Sequence, residues 1–124
     1  MLGSHDKPTF RIASPPEFRG ESGNWSPEEL FVASVEGCHL MTFLAFAERE
    51  QLQLLSYESH ANGVLEMVDG HFRFTRIVLF PTIVVAKSAR EEEVYAMFTR
   101  AHQHCLVTNS ISSIVEVNPT IILQ

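Results

Sequence analysis

The segment Ser26–Glu50, SPEELFVASVEGCHLMTFLAFAERE, constrains the fold of this chain more than any other part of the sequence. Its first residues are typical of a helix N-terminus. Ser26 is the expected N-cap, Pro27 occupies the first helical position, and Glu29 completes a capping box with the serine. The pattern predicts a helix that continues to about Gln51.

Apolar residues cover the whole circumference of this predicted helix. A helix that is apolar on every side must be buried on every side. One sheet from a chain of 124 residues covers only one side. We therefore expect a homodimer in which a second copy of the chain covers the other side, with this helix at its centre. The alternative is that the chain's own second helix covers it. The apolar residues are Leu30, Phe31, Val32, Ala33, Val35, Cys38, Leu40, Met41, Phe43, Leu44, Ala45 and Phe46.

Strands are predicted on both sides of this helix in the sequence. Thr9–Ala13 alternates weakly and indicates a short strand, and the loop Ser14–Trp25 follows it. Two long strands, Tyr57–Val68 and His71–Ala86, are joined by an Asp-Gly pair, which is a strong signal for a two-residue hairpin turn. Pro81 removes a ladder hydrogen bond, so we expect it at a sheet edge or a bulge.

A second helix and a last strand complete the predicted order. Ser88 and Glu91 form a second potential capping box, and the apolar face of this helix runs as far as Cys105. Ile114–Leu123 is predicted as a strand that Pro119 interrupts. The order strand, helix, two strands, helix, strand indicates an α+β fold with an antiparallel sheet, in a single domain spanning residues 1–124.

Composition excludes several classes of function. The formal net charge of −6 argues against nucleic-acid partners, whose phosphates require clustered Lys and Arg, and against anionic membranes. The N-terminal sequence has no signal-peptide apolar region, so a cytoplasmic location is expected. Two cysteines are too few for a disulfide scaffold. No cofactor is expected.

The two cysteines differ in their predicted surroundings. Cys38 lies about three turns inside the first helix. Cys105 is predicted at the C-terminal, negative end of the second helix, where a thiolate is disfavoured. If Cys38 is reactive, a nearby cation must lower its pKa, because the thiolate is the attacking species. A cysteine among Leu, Met and Phe is more often a core residue, and that interpretation stays open at this point.

Two motifs resemble those of the osmotically induced and organic-hydroperoxide-resistance (OsmC/Ohr) family. Pro27-Glu28-Glu29-Leu30 precedes a long apolar helix that has a cysteine ten residues after Glu28, and Cys105-Leu106-Val107-Thr108-Asn109-Ser110-Ile111 is similar to the second family motif. The resemblance covers roughly Ser14–Gln124. It implies an OsmC-like intertwined homodimer, with an antiparallel sheet wrapped around a long central buried helix.

The resemblance also implies a chemistry, the thiol-dependent reduction of organic hydroperoxides. Cys38 would be the peroxidatic thiolate and would become a sulfenic acid, which Cys105 would resolve as a disulfide. A dithiol or lipoyl-type reductant would restore both thiols. Glu28 matches a family glutamate that holds an activating arginine. No arginine here matches that one by motif, and Arg11 and Arg19 are the candidates.

Other interpretations remain. The same fold could bind a small apolar ligand at the dimer interface, with both cysteines as packing residues. His102, His104 and Cys105 raise the question of zinc, but their spacing matches no strong zinc signature, and no metal site is expected. His39 is expected to be packed or hydrogen-bonded. Glu36 is expected at a dimer-edge surface position, with a buried acid near the site as the alternative.

Overall fold

The computed structural model describes residues 1–20 and 22–124 of the chain. A short 3₁₀ turn, Pro16–Phe18, precedes the main elements. These are helix α1 (Pro27–Arg49), strands β1 (Leu54–Val68) and β2 (His71–Val85), helices α2 (Glu91–Gln103) and α3 (Leu106–Asn109), and strands β3 (Ile114–Val117) and β4 (Thr120–Leu123).

Helix α1 begins where the sequence predicts. The Ser26 hydroxyl accepts a hydrogen bond from the Glu29 backbone N–H at 3.1 Å, and the Glu29 carboxylate accepts one from the Ser26 N–H at 3.1 Å. Both halves of the capping box are therefore present, and Pro27 occupies the first turn. The helix ends at Arg49, within two residues of the predicted end.

The four-stranded sheet is mixed rather than antiparallel throughout. Strands β1 and β2 form the predicted antiparallel hairpin. Its turn residues Asp69 and Gly70 both have positive φ, as a two-residue turn of this kind requires. Strands β3 and β4 both pair with β2 in parallel. The α+β fold class is confirmed, and the correction concerns the direction of the two C-terminal strands.

Pro81 lies at neither a sheet edge nor a bulge, contrary to the prediction. It is in the central strand β2, opposite Ser59 of β1. On the other side of β2, pairing with β3 ends at Leu79 and pairing with β4 begins at Thr82. The missing N–H of Pro81 therefore falls in the gap where the chain passes from β3 to β4, and the parallel ladders lose no donor there.

Two further predictions are wrong, one about the start of a helix and one about a short strand. Ser88 does not cap α2, because the helix begins at Glu91 and Arg90 is its N-cap residue, without a side-chain capping bond. The segment Thr9–Ala13 contributes only isolated bridges, one of them between Ile12 and Trp25, and does not join the main sheet.

The core lies between the helices and the inner face of the β2 strand. Phe43 of α1 stacks on Phe98 of α2 with ring centroids 4.3 Å apart, and both belong to one buried cluster with Ile83 of β2. A second cluster forms around Val35 of α1 and Leu79 of β2. These two clusters fix the buried side of α1 along its length, and so fix which way its other side chains point.

The opposite side of α1 is left open by the chain itself. Met41 is 65% exposed, and a Cβ added at Gly37 would meet nothing within 4 Å. By length and composition alone α1 could cross a membrane, and 22% of its most apolar 18-residue stretch is buried inside the chain. Helix α2 covers part of α1, so the alternative in which it completes the cover does not hold for the described chain.

Candidate active site at Cys38 and Cys105

The fold brings the two cysteines together from separate elements. Cys38 lies in the middle of α1, and its side chain is half-buried. Cys105 is fully buried and is the N-cap residue of α3, after α2 has ended at Gln103. The two thiols are free, and their sulfurs are in hydrogen-bond contact. The sequence predicts Cys105 at the C-terminal end of α2. The structure instead places it at the start of α3.

The surroundings of Cys38 favour its thiolate. Burial raises the pKa of Cys38, but hydrogen bonds to its sulfur outweigh this effect, and the pKa of the thiol is lowered. The donors are the thiol of Cys105, the backbone N–H groups of Val107 and Leu106, and the hydroxyl of Thr42. Hydrogen bonds to the charged form of a group stabilise that form.

The surroundings of Cys105 have the opposite effect on its pKa. Burial raises the pKa of Cys105, and the hydrogen bond to Cys38 and the charge on that sulfur raise it further. The Thr108 hydroxyl donates to the Cys105 sulfur at 3.2 Å and opposes this in part. The site thus favours the thiolate form at Cys38 and the thiol form at Cys105. The sequence also favours Cys38 as the nucleophile, but for a different reason, the unfavourable dipole at the C-terminal end of α2. In the structure, hydrogen bonds to the Cys38 sulfur favour its thiolate instead.

The described residues bring no cation close enough to Cys38 to shift its pKa, contrary to the prediction. In the described part of the chain, the groups that shift its pKa include no arginine, lysine or histidine. Arg11 and Arg19 are exposed. Sequence reasoning missed the donors that act instead. Thr42 follows Cys38 by four residues on a helix, a spacing that places the two side chains on one face, so its role was open to detection. The backbone donors depend on the tertiary position of α3.

Glu28 lies in a different part of α1 from Cys38. Ten residues of helix separate them by about 15 Å, so Glu28 does not reach the Cys38 of its own chain. Glu28 and Glu36 both line a cavity of about 600 Å³. One carboxylate oxygen of each, Oε2, is buried and has no hydrogen-bond partner among the described residues. The apolar walls of the cavity include Pro15, Phe18, Trp25, Val32, Leu65 and Phe74.

His39 and His102 meet beside the cysteines. His39 is 3% exposed, and its Nε2 lies 3.1 Å from Nδ1 of His102. His104 packs instead against the Phe46 ring, at 5.8 Å between ring centroids. Within residues 1–20 and 22–124, no group of three or more His, Cys, Asp or Glu side chains could hold a metal ion.

Comparison with known proteins identifies the family of this chain. The sequence model of the family described as OsmC-like protein matches residues 20–120. The uncharacterized protein YmaD of Bacillus subtilis is 23% identical over 109 residues, which are 86% of this chain and 73% of that protein.

Solved structures agree with this match. An OsmC-like protein of unknown function from Vibrio cholerae has a TM-score of 0.75 at 29% identity, over 81% of this chain and 67% of its own. An organic hydroperoxide resistance protein OsmC from Legionella pneumophila has a TM-score of 0.69 at 24% identity, over 89% of this chain and 78% of its own. The resemblance noted in the sequence is confirmed, and the chain belongs to the OsmC-like protein family.

Proposed function

We propose that the protein is a cysteine-based peroxidase that reduces organic hydroperoxides with electrons from a dithiol. The observation that supports this most is the contact between the two sulfurs, with the pKa of Cys38 lowered and that of Cys105 raised. A nucleophilic thiolate beside a protonated thiol is the arrangement that a two-cysteine peroxidase requires. Membership of the OsmC-like family and similarity to proteins named for hydroperoxide resistance also favour it.

The first step oxidises Cys38. Its thiolate attacks the terminal oxygen of ROOH, the O–O bond breaks, and RO⁻ leaves while the sulfur becomes a sulfenic acid. The Cys105 proton, which points at this sulfur, is positioned to pass to RO⁻ and give the alcohol. Cys105 is then a thiolate in contact with the sulfenic sulfur.

The second step resolves the sulfenic acid. The Cys105 thiolate attacks the Cys38 sulfur, a disulfide forms, and hydroxide leaves and takes a proton from solvent to give water. A dithiol, with a lipoyl-type reductant as one candidate, then reduces the disulfide by thiol exchange. The net reaction converts ROOH and a dithiol into ROH, water and a disulfide. The cytoplasm, which we propose as the location, supplies reducing conditions.

Glu28 takes part in this proposal only across a homodimer. Suppose that α1 packs antiparallel on its copy about a two-fold axis that passes Ala33, midway between positions 28 and 38. Glu28 of the partner subunit then lies level with Cys38. The cavity that Glu28 lines in one subunit would then open towards Cys38 of the other. Its apolar walls favour an organic hydroperoxide over hydrogen peroxide as the substrate, and its carboxylates could hold a cation beside the thiolate.

Turnover with defined variants tests the function. We expect the purified protein to consume cumene hydroperoxide in the presence of a dithiol, and Cys38→Ser to abolish turnover because the nucleophile is lost. In Cys105→Ser, oxidation of Cys38 should stop at a sulfenic acid that a dimedone-type reagent traps. Ser59→Ala, at a strand position on β1, is the matched control and should retain activity. Turnover that survives in Cys38→Ser would refute the proposal and favour an apolar-ligand-binding protein.

A further inference from the structure

A buried histidine pair joins the two elements that hold the cysteines. His39 follows Cys38 on α1, and His102 precedes Cys105 by three residues in the last turn of α2. The rings are 5.3 Å apart between centroids, and the nitrogens that face each other are 3.1 Å apart. The peroxidase steps above do not use either histidine, so the pair needs a separate explanation.

The hydrogen bonds determine where the protons of the pair lie. His39 Nδ1 is 3.1 Å from the Val35 carbonyl oxygen. A carbonyl oxygen only accepts, so this nitrogen must hold a hydrogen. Burial lowers the pKa of His39, the Val35 carbonyl opposes this, and the charge of His102 lowers the pKa further. His39 is therefore neutral at neutral pH, its Nε2 accepts, and Nδ1 of His102 is the donor.

The pair tolerates one added proton but not two. Among the described residues, the hydrogen bond of His102 to His39 uses Nδ1 and not Nε2. His102 is half-buried at a pocket that it lines with Tyr95 and Thr99. A proton added at its Nε2 leaves the Nδ1–H donor in place, so the bond survives. A second proton must bind Nε2 of His39. Both rings are then cations, and the Nε2–H of His39 faces the Nδ1–H of His102. The contact becomes repulsive and opens.

We infer that the His39–His102 hydrogen bond is a positioning contact that keeps the Cys38 and Cys105 segments together, and that acid opens it. Two groups of the described residues shift the pKa of His39, the Val35 carbonyl on α1 and His102 on α2. His102 is the titratable one of the two. When both rings are charged, the end of α2 moves away from α1 and Cys105 moves away from Cys38. The role in catalysis rests on the proposed function, but the positioning role does not.

Disulfide formation by diamide tests the inference without a hydroperoxide. Diamide takes two electrons from the thiol pair and becomes the hydrazine, so its rate reports how readily Cys38 and Cys105 bridge. At neutral pH, His102→Leu removes the donor, and we expect bridging about tenfold or more slower, because misplaced reacting groups react slowly. His102→Asn places an amide N–H near the position of Nδ1 and should restore most of the rate. An unchanged rate in folded His102→Leu would overturn the positioning role.

His39→Gln tests the response to acid even if His102→Leu does not fold. The glutamine oxygen can accept from His102 but does not titrate. The ratio of the wild-type rate to the His39→Gln rate, measured from about pH 8 to about pH 4, cancels the loss of thiolate that both proteins share. We expect this ratio to be constant at neutral pH and to fall only at a pH below the ordinary histidine pKa of about 6.5, because burial and the charge of His102 lower the pKa of His39. A charge on His39 that merely stabilised the nearby thiolate would raise the ratio, so a constant or rising ratio contradicts the inference.

The diamide rates also separate this inference from the proposed function. A protein with no peroxidase activity but the expected dependence on His102 and pH would retain the positioning contact and lose the enzyme assignment. An active peroxidase whose diamide rates do not depend on His39 or His102 would keep the enzyme assignment and lose the positioning contact.

Discussion

The lowered pKa of Cys38 depends on donors contributed by single residues, and Cys105 is the one that can be changed most cleanly. Its thiol donates to the Cys38 sulfur and lowers the pKa of Cys38. Cys105→Ala removes this donor, so we expect the pKa of Cys38 to rise and its alkylation by iodoacetamide at neutral pH to slow. One pKa unit corresponds to about a tenfold change in thiolate fraction when the pH is below the pKa. The measurement is the alkylation rate as a function of pH.

Cys105→Ser is the matched control for that change. Its hydroxyl is a similar-sized donor at the same position, so the pKa of Cys38 should remain closer to the wild-type value than in Cys105→Ala. If the alanine and serine variants have the same alkylation profile as the wild type, the hydrogen bond from Cys105 does not activate Cys38. The backbone donors of Leu106 and Val107 would then be sufficient.

At the scale of elements, the two serines that precede helices make a direct comparison. Ser26 is fully buried and caps α1, whereas Ser88 makes no capping bond to α2. We expect Ser26→Ala to lower the free energy of unfolding by about 1 kcal/mol, because the orphan N–H of Glu29 loses its acceptor. Ser88→Ala should leave it unchanged within the error of urea denaturation. Equal losses in both variants would mean that Ser88 caps α2 after all.

These two serines also show how far local sequence predicts the fold. The box at Ser26 is predictable because its residues satisfy each other within one turn of chain. Ser88 has the same spacing to Glu91, but the turn after β2 places Arg90 at the cap and leaves the serine outside the helix. Pro81 was misplaced for a related reason. The gap between β3 and β4 that accepts it is created by two segments far away in sequence.

The candidate site shows the same division between local and distant information. The family motifs identify Cys38 and Cys105, and helix periodicity could have identified Thr42. The thiolate donors on Leu106 and Val107 are backbone groups, so no side-chain pattern marks them. A cation was predicted because the thiolate is the attacking species and a position well inside a helix gains little from the helix dipole. The start of α3, which packs against α1, provides donors that the helix alone lacks.

For the whole molecule, the open side of α1 is the feature that the single chain does not explain. Gly37 is in the middle of the helix, where glycine costs about 1 kcal/mol relative to alanine. Inside the chain a Cβ at this position would have free space, so packing within the chain gives no reason for glycine. Close approach of a second α1 does give one. A two-fold pairing of α1 would also cover Met41, which is 65% exposed, and bring Glu28 of the partner subunit towards Cys38.

Gly37→Leu tests this pairing because the single chain and the dimer predict effects of opposite sign. In a monomer the Cβ of the new residue meets nothing within 4 Å and the substitution improves helix propensity, so stability should rise by up to about 1 kcal/mol. In the proposed dimer it overpacks the contact, and the dissociation constant measured by analytical ultracentrifugation should increase about tenfold or more. Ala96→Leu, on the exposed side of α2, adds a leucine to a helix surface away from α1 and should leave the dissociation constant unchanged. A Gly37→Leu protein that is more stable and keeps the wild-type assembly state would exclude α1 pairing, and with it any role for Glu28 beside Cys38.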